Sequence, residues 1–436
     1  MNVYIETLGC PKNFVDSESA AGILSAAGHN ITDNIADAQA VLVNTCGFIN
    51  DAKKESIDKI FELAGARNSG ALLIVSGCLS QRYGNLIFKQ MPEVDVFMGV
   101  NDYASLPDII ENFNGKREKY FSPCGDAYTE TPQRRFRDGD YSAALKIAEG
   151  CDNVCAYCVI PSIRGGYRSR KRENIIREAD MLAGKGCKEL IIVAQDVTAY
   201  GTDIYDDYGL PELLKDLCRT DGIRWIRLMY CYEDRITDEL IETMRSEEKI
   251  CKYIDIPLQH CNDSILRAMG RRSVKSGIIA TVGKLRRAMP DIHIRTTFIT
   301  GFPGEGRAEF LELMNFIESM KFERLGVFTY SKEAGTPAAK MKNQVRASVK
   351  KARLDAIMLR QLEISLENNA AKIGKTFEIL VEGMDEEGAY IGRGRFDAPD
   401  IDNSVIFTSR KSLAAGDMVN VEITDAFDYD LVGREV

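Results

Sequence analysis

Short apolar runs alternate with helix-like stretches through the first part of the chain. This alternation predicts a parallel sheet that is covered by helices. We therefore expect an N-terminal α/β domain over residues 1–121. The predicted strands are Val3–Ile5, Val41–Val43 and Leu72–Val75, and the predicted helices cover residues 16–28 and 51–65.

A second series of six apolar runs, separated by helix-like segments, begins near Tyr141. Six consecutive βα units predict an incomplete (β/α) barrel that is open on one side and has its chemistry at the carboxyl ends of the strands. With the long helical segment that follows, this domain is expected to cover residues 141–371. The predicted strands are Ala143–Ala148, Leu190–Ala194, Trp225–Met229, Tyr253–Pro257, Ile294–Ile299 and Leu325–Tyr330.

Two further segments have different patterns. Residues 122–140 are rich in proline, glycine and charge, which predicts a linker or a loop that crosses the surface. Residues 372–436 contain short alternating runs separated by glycine, aspartate and asparagine. This second pattern predicts a small antiparallel β-barrel, so the predicted fold class is α/β with an all-β C-terminal domain.

Composition narrows the class of protein. Of the 436 residues, 45% are hydrophobic and 28% are charged, as in soluble globular proteins. No apolar run reaches about 18 residues and no secretory signal is visible, so we expect a cytoplasmic protein without membrane contact. In that reducing compartment, twelve cysteines beside only three histidines favour metal-binding or catalytic thiols over disulfides. The net charge of −9 argues against a protein held mainly by attraction to phosphate.

Three cysteines follow the first strand of the predicted barrel at the spacing C-x3-C-x2-C: Cys151, Cys155 and Cys158. A structural zinc site uses four protein ligands, and no fourth thiol is close in sequence. A [4Fe–4S] cluster held by three thiolates keeps one iron free to bind a small molecule. The alternatives are a zinc knuckle that lacks its fourth ligand, or three unrelated thiols.

A second set of three thiols follows the predicted strands of the N-terminal domain. Cys10, Cys46 and Cys78 are separated by 36 and 32 residues, about one βα unit each. Because the carboxyl ends of parallel strands lie at one edge of a sheet, these thiols are expected to meet and to hold a second cluster. Buried structural cysteines are the alternative interpretation. The other cysteines are assigned to packing: Cys124, Cys187, Cys218, Cys231, Cys251 and Cys261.

The loop "GCDNVCAYC" after the first barrel strand closely resembles the cluster loop of the radical S-adenosylmethionine (SAM) superfamily. The resemblance implies that a cluster passes one electron to bound SAM and that a 5′-deoxyadenosyl radical forms. It places Tyr157 beside the adenine, although a core tyrosine is equally compatible. It places Gln195 and Asp196 where the SAM amine is received, and Gly301 and Gly304 of "TTFITGFPGE" in contact with SAM, unless they form a plain turn. No catalytic residue is assigned beyond the clusters.

Over its whole length the chain resembles the radical SAM methylthiotransferases, which combine a cluster domain, a radical SAM barrel and a TRAM domain. The resemblance implies two [4Fe–4S] clusters, SAM as both methyl donor and radical source, and insertion of a methylthio group at carbon. It also implies a reductant such as flavodoxin or ferredoxin, and a sulfur donor.

Three stretches resemble the branch that modifies the β-carbon of an aspartate in small-subunit ribosomal protein uS12: "LGCPKNFVDSE", "IDIPLQHCNDSILRAMGR" and "FTYSKEAGTPAA". The tRNA-modifying branch usually reads "GCQMN" at the first of these. A tRNA adenosine methylthiotransferase and a non-catalytic iron–sulfur electron carrier are the alternatives.

Charge favours the same branch. Residues 372–436 contain seven Lys or Arg and fourteen Asp or Glu. An acidic TRAM domain disfavours tRNA binding and attracts a basic ribosomal protein, although acidic surfaces also simply keep proteins soluble.

One basic run has the charge that binding to RNA or to another anion requires. "IRGGYRSRKR" (Ile163–Arg172) follows the cysteine loop directly and carries five cationic side chains. It is expected to grip ribosomal RNA, to hold a substrate carboxylate, or to be solvated. The cations are Arg164, Arg168, Arg170, Lys171 and Arg172.

Overall fold

The computed structural model of the protein describes residues 1–125, 127–131, 134–136 and 139–436. The described strands form two six-stranded parallel sheets, a closed five-stranded barrel and a two-stranded ribbon. This architecture confirms the predicted fold class. A search of the same residues finds no helix that is both long enough and apolar enough to cross a membrane.

The N-terminal domain is a parallel sheet with an apolar core and helices on each face. Its elements are β1 (Asn2–Thr7), α1 (Pro11–Ala26), β2 (Asn30–Thr32), β3 (Ala40–Thr45), α2 (Asn50–Ala66), β4 (Leu72–Gly77), α3 (Cys78–Gln90), β5 (Val96–Met98), α4 (Leu106–Asn112) and β6 (Glu118–Tyr120). The sheet order is β2-β1-β3-β4-β5-β6. The three predicted strands therefore form the centre, and three strands that the prediction missed extend it. Each missed strand has only three residues, too few for an apolar pattern to show.

The middle domain is the incomplete barrel, with strand order β14-β13-β12-β11-β10-β7 and every neighbouring pair parallel. Its elements are β7 (Ser142–Lys146), β8 (Ala148–Glu149), α5 (Ile160–Arg164), β9 (Arg168–Ser169), α6 (Arg172–Gly184), β10 (Glu189–Val193), α7 (Leu210–Leu217), β11 (Trp225–Leu228), α8 (Asp238–Ser246), β12 (Ile250–Gln259), α9 (Asp263–Ala268), α10 (Lys275–Ala288), β13 (His293–Thr300), α11 (Arg307–Met320), β14 (Arg324–Thr329) and α12 (Ala347–Ala370).

The first predicted barrel strand is interrupted at Ile147. Its N–H still donates to Val193 in β10, but its carbonyl accepts from Arg170. The chain then leaves the barrel sheet, and β8 pairs antiparallel with β9. This change of partner directs the cysteine loop across the mouth of the barrel.

The C-terminal domain is a closed barrel with the order β15-β16-β17-β19-β18 around its own apolar core. Its elements are β15 (Thr376–Met384), β16 (Tyr390–Gly394), β17 (Val405–Thr408), β18 (Met418–Ala426) and β19 (Leu431–Glu435). The pairs are antiparallel as predicted, except that β17 and β19 pair in parallel.

The segment predicted as a surface linker, residues 122–140, is anchored in its described part. Phe136 is buried in the core of the barrel domain. The buried guanidinium of Arg134 donates to Glu18 of α1 and to Glu178 of α6. Because α1 belongs to the N-terminal domain and α6 to the barrel, this arginine ties the two domains together.

A buried charge cluster joins the C-terminal domain to the barrel. Arg393 of β16 donates to Glu189 of β10 at 2.9 Å, and Arg227 of β11 donates to the same carboxylate at 2.9 Å. Burial by itself raises the pKa of Glu189, but the two guanidinium groups lower it to about 2. Removing a cation from such a buried carboxylate strongly lowers the free energy of unfolding, because the remaining charge is left uncompensated.

Replacing Arg393 by alanine is expected to lower the free energy of unfolding by about 3–5 kcal/mol, because it removes one of two cations from a buried carboxylate. Urea denaturation of the full chain measures this loss. Arg434→Ala is the matched control, since its ion pair with Glu422 lies at the surface of the same domain, where such pairs contribute roughly 1 kcal/mol or less. Equal losses in the two variants would contradict the assigned role of Glu189.

Candidate functional site

Cys151, Cys155 and Cys158 lie on the loop that follows β8, at the carboxyl end of the first barrel strand. The first two are buried and the third is half-buried. Gly150 starts the loop with a φ of 78°, and a Cβ there would come within 1.9 Å of the Gly166 carbonyl oxygen. The glycine thus allows the cysteine loop to pass closely over the turn that leads into β9.

The N-terminal thiols are brought together by the register of the parallel sheet. Thr7 of β1 lies opposite Asn44 of β3, and Asn44 lies opposite Ser76 of β4. Cys46 and Cys78 each follow two residues after this level, and Cys10 follows three residues after it. A Cβ on Gly9 would come within 2.8 Å of the Cys46 Cβ, which shows how closely the first two loops approach.

Two of these thiols lie at the N-terminal ends of helices. Cys10 is the N-cap of α1, and Pro11 supplies the helical first turn. Cys78 is the first residue of α3. Burial nevertheless raises the pKa of Cys78, although the nearby Arg164 guanidinium opposes this rise.

The donor atoms of both trios fit iron–sulfur clusters. Burial raises the pKa of Cys46 to about 11 and that of Cys158 to about 12, so these thiols ionise only when a bound cation compensates the charge. Within the described ranges, no three His, Cys, Asp or Glu side chains converge closely enough to hold a single metal ion. In a cubane each thiolate binds its own iron, so the ligands of a cluster need not converge on one ion as those of a zinc site do.

The two trios are neighbours. Cys78 shares a small apolar cluster with Val159, directly after Cys158, and with Ile163, five residues after it. The guanidinium of Arg164 lies 3.4 Å from the Cys78 sulfur. The N-terminal thiols therefore face the end of the barrel that carries the cysteine loop.

The basic run after the loop is neither a solvated stretch nor a free RNA-binding surface. Arg164 is buried and pairs with Asp16 and Glu149, each at 2.9 Å. Arg168 donates to backbone carbonyls, and buried Arg170 donates to Glu130 and Glu178. Arg172 pairs with Asp216, and only Lys171 is exposed without such a partner among the described contacts. These cations hold the N-terminal domain, the connecting segment and the barrel together.

The residues predicted to receive the SAM amine differ in their availability. Gln195 donates from its Nε2 to Glu149 at 2.7 Å, and its buried Oε1 has no hydrogen-bond partner among the described residues. That orphaned acceptor fits an amine donor. Asp196 is fully buried and already accepts hydrogen bonds from Thr198, Asn153 and Arg235 at 2.6–2.9 Å.

The other predicted cofactor residues lie at the same end of the barrel. Tyr157 packs beside Ala156 and Met269, and burial, followed by the nearby Cys155 sulfur, raises the pKa of its hydroxyl. Gly301 has a φ of 74°, and a Cβ there would come within 2.3 Å of the Lys350 side chain. Its close approach is thus to α12 of its own chain. Gly304 has a φ of 92° and open space on its Cβ side.

Sequence reasoning missed several side chains at this site. Glu149 organises Lys146, Arg164 and Gln195 directly before the cysteine loop. Lys12, inside the quoted "LGCPKN" stretch, is buried and reaches the barrel. In the sequence, only the position of Lys12 two residues after Cys10 marks it as a residue of this site. Its burial could not be predicted, because it depends on contact between two domains.

Family comparisons cover all three domains. Residues 2–99 match the uncharacterized protein family UPF0004, residues 145–317 match the radical SAM superfamily, and residues 373–436 match the TRAM domain. A cobalamin-binding radical SAM methyltransferase, TsrM from Kitasatospora setae, has the same fold, with a TM-score of 0.58 and 14% identity over 77% of this chain and 76% of that one. The fold and site define a three-domain radical SAM protein, a class that uses SAM and an iron–sulfur cluster.

Full-length relatives define the family more narrowly. The chain is 47% identical to the ribosomal protein uS12 methylthiotransferase RimO of Thermoanaerobacter sp. (strain X514), over 99% of each chain. It is 47% identical to the protein of the same name from Acetivibrio thermocellus, over 100% of this chain and 98% of that one. The chain belongs to the RimO family of ribosomal protein uS12 methylthiotransferases. The family resemblance predicted from the sequence is thereby confirmed.

Proposed function

We propose that the protein replaces a hydrogen on the β-carbon of an aspartate in ribosomal protein uS12 with a methylthio group, using two [4Fe–4S] clusters. The observation that carries the proposal is the adjacency of the two thiol trios, with Cys78 packed against the residues that follow Cys158. In this assignment Cys151, Cys155 and Cys158 hold the cluster that binds SAM. Cys10, Cys46 and Cys78 hold the cluster that presents sulfur.

The required chemistry explains why two sites must adjoin. The β-carbon hydrogen of the target is not acidic enough for an ordinary general base. When bound, the clusters and SAM supply one-electron chemistry and the methyl group, while the protein orients them and excludes water. The Oε1 of Gln195 is proposed to accept from the SAM amine, and Tyr157 and Gly304 are proposed to line the SAM site.

The acidic C-terminal domain is proposed to attract basic uS12. Part of its negative charge faces the barrel instead, because three carboxylates pair with barrel arginines: Glu378 with Arg224, Asp397 with Arg324, and Asp402 with Arg295. Others are exposed: Glu386, Glu387, Asp400, Asp425 and Asp428. These exposed carboxylates would repel tRNA phosphates and attract a cationic ribosomal protein.

The reaction needs partners that the chain does not supply. We infer a one-electron reductant such as flavodoxin or ferredoxin and a sulfur donor. Because the proposed substrate is a ribosomal protein, the reaction is placed in the cytoplasm.

Deleting the gene is expected to remove a methylthio group from uS12. Mass spectrometry of ribosomal proteins should show uS12 lighter by about 46 Da, the difference between SCH3 and H. Nucleosides from tRNA of the same strain are the internal control and should be unchanged. Loss of a methylthio group from a tRNA adenosine, with uS12 unaltered, would reject the proposal in favour of a tRNA enzyme.

A further inference from the structure

Lys12 is a buried cation with no carboxylate partner. Its exposed fraction is only 8%, and no ion pair to it occurs within the described residues. Buried charges in proteins are normally paired, because an unpaired ammonium in a dry site costs several kcal/mol. Cys10, a proposed cluster ligand, and Glu149 lie near enough to act on this charge, but neither forms an ion pair with it among the described residues, so the place of a carboxylate partner is left for one from outside the chain.

The ammonium of Lys12 points into the mouth of the barrel. Its Nζ lies 3.4 Å from the carbonyl oxygen of Ala194, directly after β10. It also lies 3.8 Å from the ring centre of Tyr230, two residues after β11. Tyr230 has a φ of 56°, a strained conformation for a residue with a side chain. The lysine thus reaches from the N-terminal domain to the ends of two barrel strands.

Two described carboxylates near this point, those of Asp16 and Glu149, are engaged by other side chains. Asp16 accepts from Lys146 at 2.5 Å and pairs with Arg164. Glu149 accepts from Lys146, Arg164 and Gln195. Within the described residues these two acids are thus held by other cations, which leaves the ammonium of Lys12 for an external carboxylate.

The position of Lys12 indicates which anion this is. It is two residues from Cys10, and Ala194 is directly followed by Gln195, so the ammonium lies between the N-terminal thiols and the predicted SAM site. In aspartate the carboxylate is bonded directly to the β-carbon. A cation that holds this carboxylate places the β-carbon within one bond of the held group.

We propose that Lys12 binds the side-chain carboxylate of the target aspartate and so positions its β-carbon between the two trios. The inference rests on the proposed function. It makes Lys12 a positioning and specificity residue for an acidic target side chain. A charge-assisted contact of this kind contributes about tenfold or more to affinity.

The test compares two forms of uS12, with aspartate or with asparagine at the modified position. Binding of each to the anaerobically reconstituted full-length enzyme is measured for the original chain, Lys12→Met, Lys12→Arg and the exposed control Lys54→Met. The original chain and Lys54→Met should bind the aspartate form about tenfold more tightly. Lys12→Met should bind both forms equally, and Lys12→Arg should keep the preference because it keeps a cation. Iron content is measured in parallel.

Each other outcome overturns the inference and shows why. If Lys12→Met keeps the preference for aspartate, the lysine does not hold the carboxylate, and a simultaneous loss of iron would assign it to the N-terminal cluster. Lys12→Met could lose both its iron and its binding of uS12, and the decision then depends on Lys12→Arg. If Lys12→Arg binds the aspartate and asparagine forms equally, the inference is rejected. If the original chain binds neither form, the proposed function itself fails.

Discussion

Replacing Cys151, Cys155 and Cys158 together by alanine is expected to reduce 5′-deoxyadenosine formation from SAM to background. These thiols are the only protein anchors assigned to the cluster that meets SAM, and without it no electron reaches the sulfonium. Iron should fall from about eight to about four atoms per chain, since each cubane carries four. Chromatography of reduced enzyme incubated with SAM, together with iron analysis, measures both effects.

Cys187→Ala is the matched control for this triple variant. Cys187 is buried in the same domain but lies two residues before β10, at the end of the barrel opposite the cysteine loop. It should retain full iron and full SAM cleavage. Undiminished 5′-deoxyadenosine from the triple variant would disprove the assigned cluster site.

Replacing Cys10, Cys46 and Cys78 together by alanine is expected to separate the two halves of the reaction. SAM cleavage should persist, because the barrel trio is intact. Transfer of a methylthio group to uS12 should fall to background, because the cluster proposed to present sulfur is lost. The measurements are 5′-deoxyadenosine yield and the mass of uS12 from the same incubation, with iron again at about four atoms per chain.

A parallel Cys124→Ala variant controls for thiol loss near the site. Cys124 lies against Gly165, close to both trios, but is assigned to packing. Its iron content and its methylthio transfer should match those of the original chain. Methylthio transfer by the N-terminal triple variant would contradict the two-cluster proposal. A content of only about four iron atoms in the original chain would also contradict it.

The positions of the six thiols could be predicted because they depend on local pattern. Apolar runs locate the central strands, and parallel strands present their carboxyl ends at one edge. Cysteines that follow such strands, as Cys46 follows β3 and Cys78 follows β4, must therefore lie near one another. The short edge strands carry too little pattern to be detected.

The basic run shows where such prediction stops. Sequence alone leaves Arg164 and Arg170 in a charge run that binds ribosomal RNA, binds a substrate carboxylate or is solvated, and such runs are usually solvated. In the structure both are buried, and their carboxylate partners come from other parts of the chain, such as Asp16 and Glu178. Sequence spacing carries no signal for pairs so far apart.

Periodicity, spacing and motif thus suffice to predict the three domains, the two groups of thiols and the family. Three properties became apparent only in the folded chain: the two thiol groups adjoin, Asp196 already accepts three hydrogen bonds, and Lys12 is buried with no acid paired to it among the described residues. The first and the last of these arise where separate domains pack together. There the removal of water decides whether a charged side chain is paired, and burial cannot be read from any single segment.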